Sequence, residues 1–299
     1  MKKILTTISI LLLSLLLVSC NHYEASNIMT TNFITYDFTR AIVGDHKSIE
    51  VLTPLGKDFH HFEPTSGDLV QLKKVDVLIY LGNDYETWLG DDVIATYLKS
   101  GSSAISLAAL VENEAEHDHE DHVHGVHFWT DPLVVYELIM KLTDELSQIY
   151  PEYEVLFHEN GSAYAASILS VAESFKESIQ DFNLKVYYVG HYALHGFESY
   201  FDITVIPLIN STNPSSDLTS QDLLTFVEWL KNDQVTIIFK EELKSDAQID
   251  YLKEQIEGLL VYELHGYHHL SQSDIENEVT YLELLTRNIA YLNEVLNDE

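Results

Sequence analysis

Cysteine is nearly absent: Cys20 is the only one in 299 residues. A lone thiol excludes an intramolecular disulfide and any Cys-based zinc cluster. Basic residues are scarce as well, 16 Lys+Arg against 48 Asp+Glu, for a formal net charge of −32. A nucleic-acid binder neutralises phosphates with Lys and Arg, and docking on anionic lipid needs a basic face, so both are excluded. The same charge favours solubility and a mild attraction for cations. The chain has no H-E-x-x-H and no G-x-x-x-x-G-K-[ST], so it carries neither that hydrolase signature nor its own ATPase. It has no internal repeats and no low-complexity tract besides one His-rich run. What it does have is a 46% hydrophobic share, ample for packed cores, and 15 His. The length fits two domains or one large one.

The first residues read as a secretory signal over 1–19: Lys2 and Lys3, an apolar run from Ile4 to Val18, then small residues. The run is too short for a permanent membrane span. Leu17-Val18-Ser19-Cys20 resembles the bacterial lipobox, in which the Cys is lipidated and becomes the new first residue. That implies a body tethered by lipid outside the cytoplasmic membrane, with residues 20–27 as lipidated Cys and stalk.

From Ile28 onward, strand-like runs alternate with amphipathic stretches. The strands are Ile28–Phe33, Ser48–Leu55, Val75–Leu81 and Ala104–Leu110, then Lys185–Val189, Thr204–Ile209, Val235–Phe239 and Leu259–Leu264. Helical stretches follow at Tyr36–Val43, Ser66–Lys74, Glu86–Lys99 and Asp131–Tyr150, then near Ala193–Tyr200, Ser220–Asn232, Asp246–Glu257 and Thr280–Asn297. Alternation of this kind predicts parallel sheets covered on both faces. Between the halves, Glu152–Phe182 has apolar residues at near-helical period, from Leu156 to Ile179. The prediction is an α/β chain of two lobes, each a four-stranded parallel sheet with flanking helices: 28–151 with a His-rich loop at 112–126, and 183–299. A long rigid helix, 152–182, joins them; two shorter helices broken near Gly161 are the alternative.

Five His fall within 117–127, HDHEDHVHGVH, interleaved with carboxylates. His117, His119, His122 and His124 form a solvated auxiliary loop able to hold Zn2+ or Cu2+ weakly. The other His groups lie past the carboxyl ends of strands: His60 and His61, His127, His191, and His265, His268 and His269. Ligands of open α/β sheets bind at that edge. Two groups come from each half, so a site between the lobes is natural. With no Cys available, His and carboxylate must supply a tetrahedral shell.

These residues resemble the zinc-specific solute-binding proteins of bacterial ABC importers, the ZnuA/AdcA type within cluster A-I, over essentially the whole mature chain. Gly56-Lys57-Asp58-Phe59-His60-His61-Phe62-Glu63-Pro64 resembles that family's G-x-D-x-H-x-aromatic-E-P and carries a ligand onto His60. His127-Phe128-Trp129-Thr130-Asp131-Pro132 resembles H-x-W-x-D-P and gives His127. Val189-Gly190-His191-Tyr192-Ala193 stands where the family has S-H-x-A; Gly190 departs from the Ser, and His191 is retained. Tyr281–Asn288 resembles the closing helix. His268 sits nearest the fourth-ligand position, with His265, His269 and Asp274 as alternatives.

The resemblance implies high-affinity extracytoplasmic Zn2+ binding by a monomer anchored to the outer face of the bacterial cytoplasmic membrane. It also implies delivery to an ABC permease and its ATPase subunit, with small motions local to the second lobe. Manganese members carry a carboxylate where His191 stands, so imidazoles favour zinc. Asp58, Glu63 and Asp131 are local candidates to orient the imidazoles, although Asp131 also reads as a helix N-cap before Pro132. The function is capture, not catalysis. A surface adhesin, a Mn2+ receptor and a zinc hydrolase are the competing readings.

Overall fold

The computed structural model describes residues 27–112, 127–213, 216–242 and 247–298. The leader, Cys20 and the auxiliary loop histidines lie outside the described residues. Two four-stranded parallel sheets stand one after the other in the chain. The first pairs β1 (Asn27–Thr30), β2 (Ser48–Val51), β3 (Val77–Tyr80) and β4 (Ser103–Ser106) in the order β2-β1-β3-β4. The second pairs β5 (Lys185–His191), β6 (Thr204–Ile209), β7 (Ile237–Lys240) and β8 (Leu260–Glu263) in the order β6-β5-β7-β8. The same order twice puts a crevice at the carboxyl edge of each sheet, between β1 and β3 and between β5 and β7, where the chain's winding reverses. Pro207 lies in the edge strand β6, where a missing N–H costs least.

The flanking helices of the first half are α1 (Phe33–Val43), α2 (Ser66–Gln71), α3 (Asp91–Tyr97), α4 (Leu107–Glu112) and α5 (Pro132–Ile149). Asp131 caps α5, accepting from Leu133 N at 2.8 Å and Val134 N at 3.3 Å, with Pro132 at the first helical position. Val135, Leu138, Ile139, Leu142 and Leu146 then form its buried stripe. Each such side chain contributes roughly 1.5–3 kcal/mol of transfer free energy.

The long connecting segment is a single 26-residue helix, α6 (Glu154–Ile179), about 39 Å long. Gly161 does not break it. It is buried where α6 crosses α5, and a Cβ there would lie 2.1 Å from Thr143 Oγ1. The glycine therefore permits close helix contact. Gly161→Val should lower unfolding free energy by about 3 kcal/mol through overpacking, read as a lower denaturant midpoint at unchanged slope. A midpoint equal to wild type would refute this account of Gly161.

The second half continues with α7 (His195–Phe201), α8 (Ser220–Asn232), α9 (Ala247–Gln255), α10 (Gln272–Glu276) and α11 (Tyr281–Asp298). One contiguous apolar core runs through both halves, from Ile28 and Phe33 by way of Trp129, Leu142, Phe157 and Ile168 to Phe197, Phe239 and Leu284. Smaller clusters cover the other face of each sheet, around Leu78 and Leu72 and around Phe226 and Ile238. A buried polar tie crosses the halves. Asp37 in α1 accepts from Tyr164 Oη in α6 at 2.5 Å and from Tyr281 N at 3.0 Å, while Arg40 donates to Glu278 O and Val279 O.

Four local expectations need correction. The apolar run 104–110 is half strand: Leu107–Leu110 belongs to α4, because a short apolar run does not distinguish strand from helix. Phe33 opens α1, since Asn32 and Thr35 form a capping box there. The stretch from Glu86 becomes helical only at Asp91. Glu86 instead turns inward, accepting from Leu81 N and Asn32 Nδ2, and burial pushes its carboxyl up to about 7. His191 is the last residue of β5 rather than a loop residue past it.

Candidate metal centre

His60 sits on the short 3-10 turn Phe59–His61 that follows β2. Asp58 accepts from His60 N at 2.9 Å and so caps this turn. Phe59 is buried against Trp129, ring centroids 5.6 Å apart, and that anchor fixes where the next side chain projects. His127 precedes the turn Phe128–Thr130 and adopts φ 134°, a conformation that costs a non-glycine residue roughly 1–3 kcal/mol. Thr130 holds it there, its N and Oγ1 both donating to His127 O, at 3.0 and 2.8 Å. Trp129 Nε1 donates to Gly266 O at 3.0 Å, and Tyr281 Oη donates to Trp129 O at 2.8 Å. These bonds join the His127 turn to the loop after β8 and to α11.

From the second half, His191 ends β5 and His268 lies in the loop after β8; both are buried. The structure brings His60, His127, His191 and His268 together. One ligand atom of each lies within 4.8 Å of every other. His191 Nε2 and His127 Nε2 are 3.3 Å apart. A regular tetrahedron of imidazole nitrogens about 2.0–2.1 Å from Zn2+ has edges of about 3.4 Å, so the widest separations need close by at most about 1.4 Å. Among the described residues, His60 Nε2 and His268 Nε2 are buried with no hydrogen-bond partner. Orphaned nitrogens of this kind suit a cation better than an apolar core. His60 is the half-buried member, and the other three are buried.

The remaining candidates are not in this group. His265 is buried and its Nδ1 accepts from Tyr267 N, while Asn288 brackets its backbone N and O. Asp274 pairs with Arg287 at 2.8 Å and with Ser271 Oγ at 2.6 Å. His269 is half-buried beside the group.

Residues 28–295 match the sequence model of the family described as zinc-uptake complex component A, periplasmic, or ZnuA. The chain belongs to the ZnuA family. Among curated members, the zinc-binding lipoprotein AdcA of Streptococcus pneumoniae R6 is 25% identical across all of this chain. This chain spans 62% of that relative's length, less than two thirds. The high-affinity zinc uptake system protein ZnuA of Bacillus subtilis is 21% identical, with 90% of this chain and 87% of that one covered. The fold is also that of the Zn(II)-bound ZnuA-like domain of Streptococcus pneumoniae AdcA: TM-score 0.75, 21% identity, 91% of this chain and 98% of the other. TroA from Treponema pallidum, a periplasmic zinc-binding protein, aligns with TM-score 0.76 at 18% identity over 91% and 99% of the two chains.

In this ZnuA-family chain the electrostatics set His268 apart from His60 and His127. Burial, with the neighbouring His268, drives the His60 pKa down to about 3. Burial and the surrounding imidazoles hold His127 well below its ordinary value. Burial pushes His268 down too, but the charge and hydrogen bond of Glu242 outweigh it, so its pKa is raised. Burial would raise the Glu242 carboxyl, yet the charges of His265 and His268 hold it well below the usual range. Glu241 is likewise lowered, the contact with His191 prevailing over its burial.

Sequence reasoning missed Glu241 and Glu242. They follow β7 directly, at the edge that carries the histidines, and an acidic pair at that edge was the available signal. His191 Nδ1 lies 2.7 Å from Glu241 Oε1, and His268 Nδ1 lies 2.9 Å from Glu242 Oε1. Of the candidates chosen from local sequence, Asp58 holds the backbone of His60, Asp131 caps α5, and Glu63 is exposed.

Proposed function

We propose that this chain captures Zn2+ outside the cytoplasmic membrane, tethered through Cys20, and delivers it to an ABC permease and its ATPase subunit. The observation that carries the reading is the convergence of His60, His127, His191 and His268 on one point. Four imidazoles are the donor set of a borderline dication and a poor one for Mn2+, Mg2+ or Ca2+, which prefer oxygen. Cu2+ outranks Zn2+ on imidazole, so tetrahedral geometry and supply favour zinc. Four nitrogens also fill a tetrahedron, which leaves no coordination position for the water that a hydrolase needs. The family description and the names of the relatives, zinc-binding and zinc-uptake proteins, point the same way.

The shared core and the Asp37 tie favour small motions of the β8–α10 loop over wide hinge opening. Metal would enter past His60, and the docked permease would open the His268 side. Protein purified without added metal should carry about one tightly held zinc per chain by native mass spectrometry. Its absence, with no uptake from a buffered zinc solution, would sink the reading. The histidines His117, His119, His122 and His124 are assigned to weak auxiliary capture. Deleting residues 117–125 should leave the tight affinity within about twofold and remove weaker zinc equivalents from a titration. Collapse of the tight affinity would place the loop in the primary shell.

A further inference from the structure

The second half of the cluster is backed by two similar arrangements, each made of a glycine, a glutamate and a histidine. A Cβ on Gly190 would lie 2.7 Å from Glu241 Oε2, 2.9 Å from Glu241 Cβ and 2.6 Å from Tyr188 Cε1. A Cβ on Gly266 would lie 2.6 Å from His268 Cε1 and 2.9 Å from His268 Nδ1. Neither glycine has the positive φ that would otherwise explain it. The requirement at both places is space. At Gly190 that space is occupied by the glutamate facing His191, and at Gly266 by the histidine facing Glu242. This also accounts for Gly190 standing where the resemblance leads one to expect Ser.

Glu241 and Glu242 are buried, 5% and 2% exposed. Glu242 is fastened further by Gly266 N at 2.8 Å and His268 N at 2.9 Å, and Glu241 Oε2 accepts from His191 N at 3.3 Å. Glu242 Oε1 is hydrogen-bonded to His268 Nδ1 at 2.9 Å, and a carboxylate so placed fixes the proton on Nδ1 and turns Nε2, with its lone pair, toward the centre. Glu241 Oε1 stands 2.7 Å from His191 Nδ1 as a charge contact without hydrogen-bond alignment, and His191 Nε2 faces His127 Nε2 at 3.3 Å. Zn2+ held by four neutral imidazoles keeps its double charge inside a low-dielectric site. Two carboxylates directly behind the ligands cancel that charge for a dication and overcompensate it for a monocation.

We infer that Glu241 and Glu242 are positioning and selectivity residues, which hold His191 and His268 as Nδ1–H tautomers and match the site to a doubly charged ion. Gly190 and Gly266 are the space that admits these contacts. The inference rests on the zinc-capture reading and adds which residues set ion choice.

Glu241→Gln and Glu242→Gln test it, because glutamine keeps the shape and an acceptor oxygen while deleting the charge. Each should weaken Zn2+ binding by about 10–100-fold in a chelator competition. Coulomb energy scales with ionic charge, so Cu+, titrated anaerobically, should lose about half as many decades. On the zinc-loaded wild type, long-range 1H–15N spectra of the imidazoles should show protonated Nδ1 and metal-bound Nε2 on His191 and His268. That reading needs no variant and stands even if a variant folds poorly. Zinc affinity within twofold of wild type in both variants would overturn the inference. So would equal losses for Zn2+ and Cu+, or metal on Nδ1 of either histidine. A wild type that binds no zinc at all would instead overturn the capture reading itself.

Discussion

His191→Ala should cost the protein its tight zinc site and part of its stability together, whereas His60→Ala should cost the site alone. A four-ligand zinc site of about 10–16 kcal/mol assigns roughly 3 kcal/mol to each ligand, so either change should weaken binding by about 100-fold or more. The two differ in what remains behind. His60 is half-buried, and Asp58 bonds its backbone N, a contact that alanine keeps, so loss of the ring leaves a small cavity open to water. His191 is fully buried and faces Glu241 at 2.7 Å. Removing that imidazole strips a buried carboxylate of a polar contact at 2.7 Å, a change of the class that costs about 3–5 kcal/mol. The metal-free His191→Ala protein should therefore melt well below metal-free wild type, and His60→Ala should melt close to it. Equal melting of the two variants would mean that Glu241 derives nothing from His191.

The pH dependence of zinc affinity should have a slope of at most two decades per pH unit, not three or four. His60 is depressed to about 3 and His127 lies well below its ordinary value, so both are already neutral across the physiological range and release no proton on binding. His268 is raised above its ordinary value, with Glu242 as the cause that outweighs burial. The sign follows. Below the raised His268 pKa the metal-free ring is protonated, one proton must leave for each Zn2+ bound, and affinity falls as pH falls. Over pH 7.5 to 5.5 the loss should be about 10–100-fold. Calorimetry in buffers of different ionisation enthalpy should count at least one and at most two protons released per zinc at the acidic end of that range. A release of three or four protons would show that His60 and His127 are charged in the metal-free protein, contrary to their burial. A flat profile would remove His268 from the shell.

The architecture was legible because its signals are long and periodic. Eight strand–helix alternations and an uninterrupted amphipathic segment leave few folds open, and α6 remains one helix because Gly161 serves contact with Thr143 rather than a turn. What local pattern could not decide was short. Leu107–Leu110 has the composition of a buried strand but follows β4 as helix, and Glu86 was assigned to a helix because its burial against Asn32 and Leu81 N is a tertiary fact. At the centre, the four histidine groups were readable from their place at or past the carboxyl ends of strands, and the family motif set His60 apart from His61. The choice among His265, His268 and His269 was not, because it depends on which ring the loop after β8 turns inward. That turn is set by Glu242, which accepts from Gly266 N and His268 N. Glu241 and Glu242 themselves carry no motif. They gain meaning only when β7 is known to lie beside β5, which puts their carboxylates against histidines 50 and 26 residues away.

The most direct measurement is X-ray absorption at the zinc edge on protein loaded with one equivalent, followed by anomalous scattering from a crystal of the same material. Four nitrogen scatterers at about 2.0–2.1 Å are expected, with the anomalous peak lying among His60, His127, His191 and His268. A peak elsewhere, or a shell that omits one half of the molecule, would contradict the claim that the two lobes share a single ion.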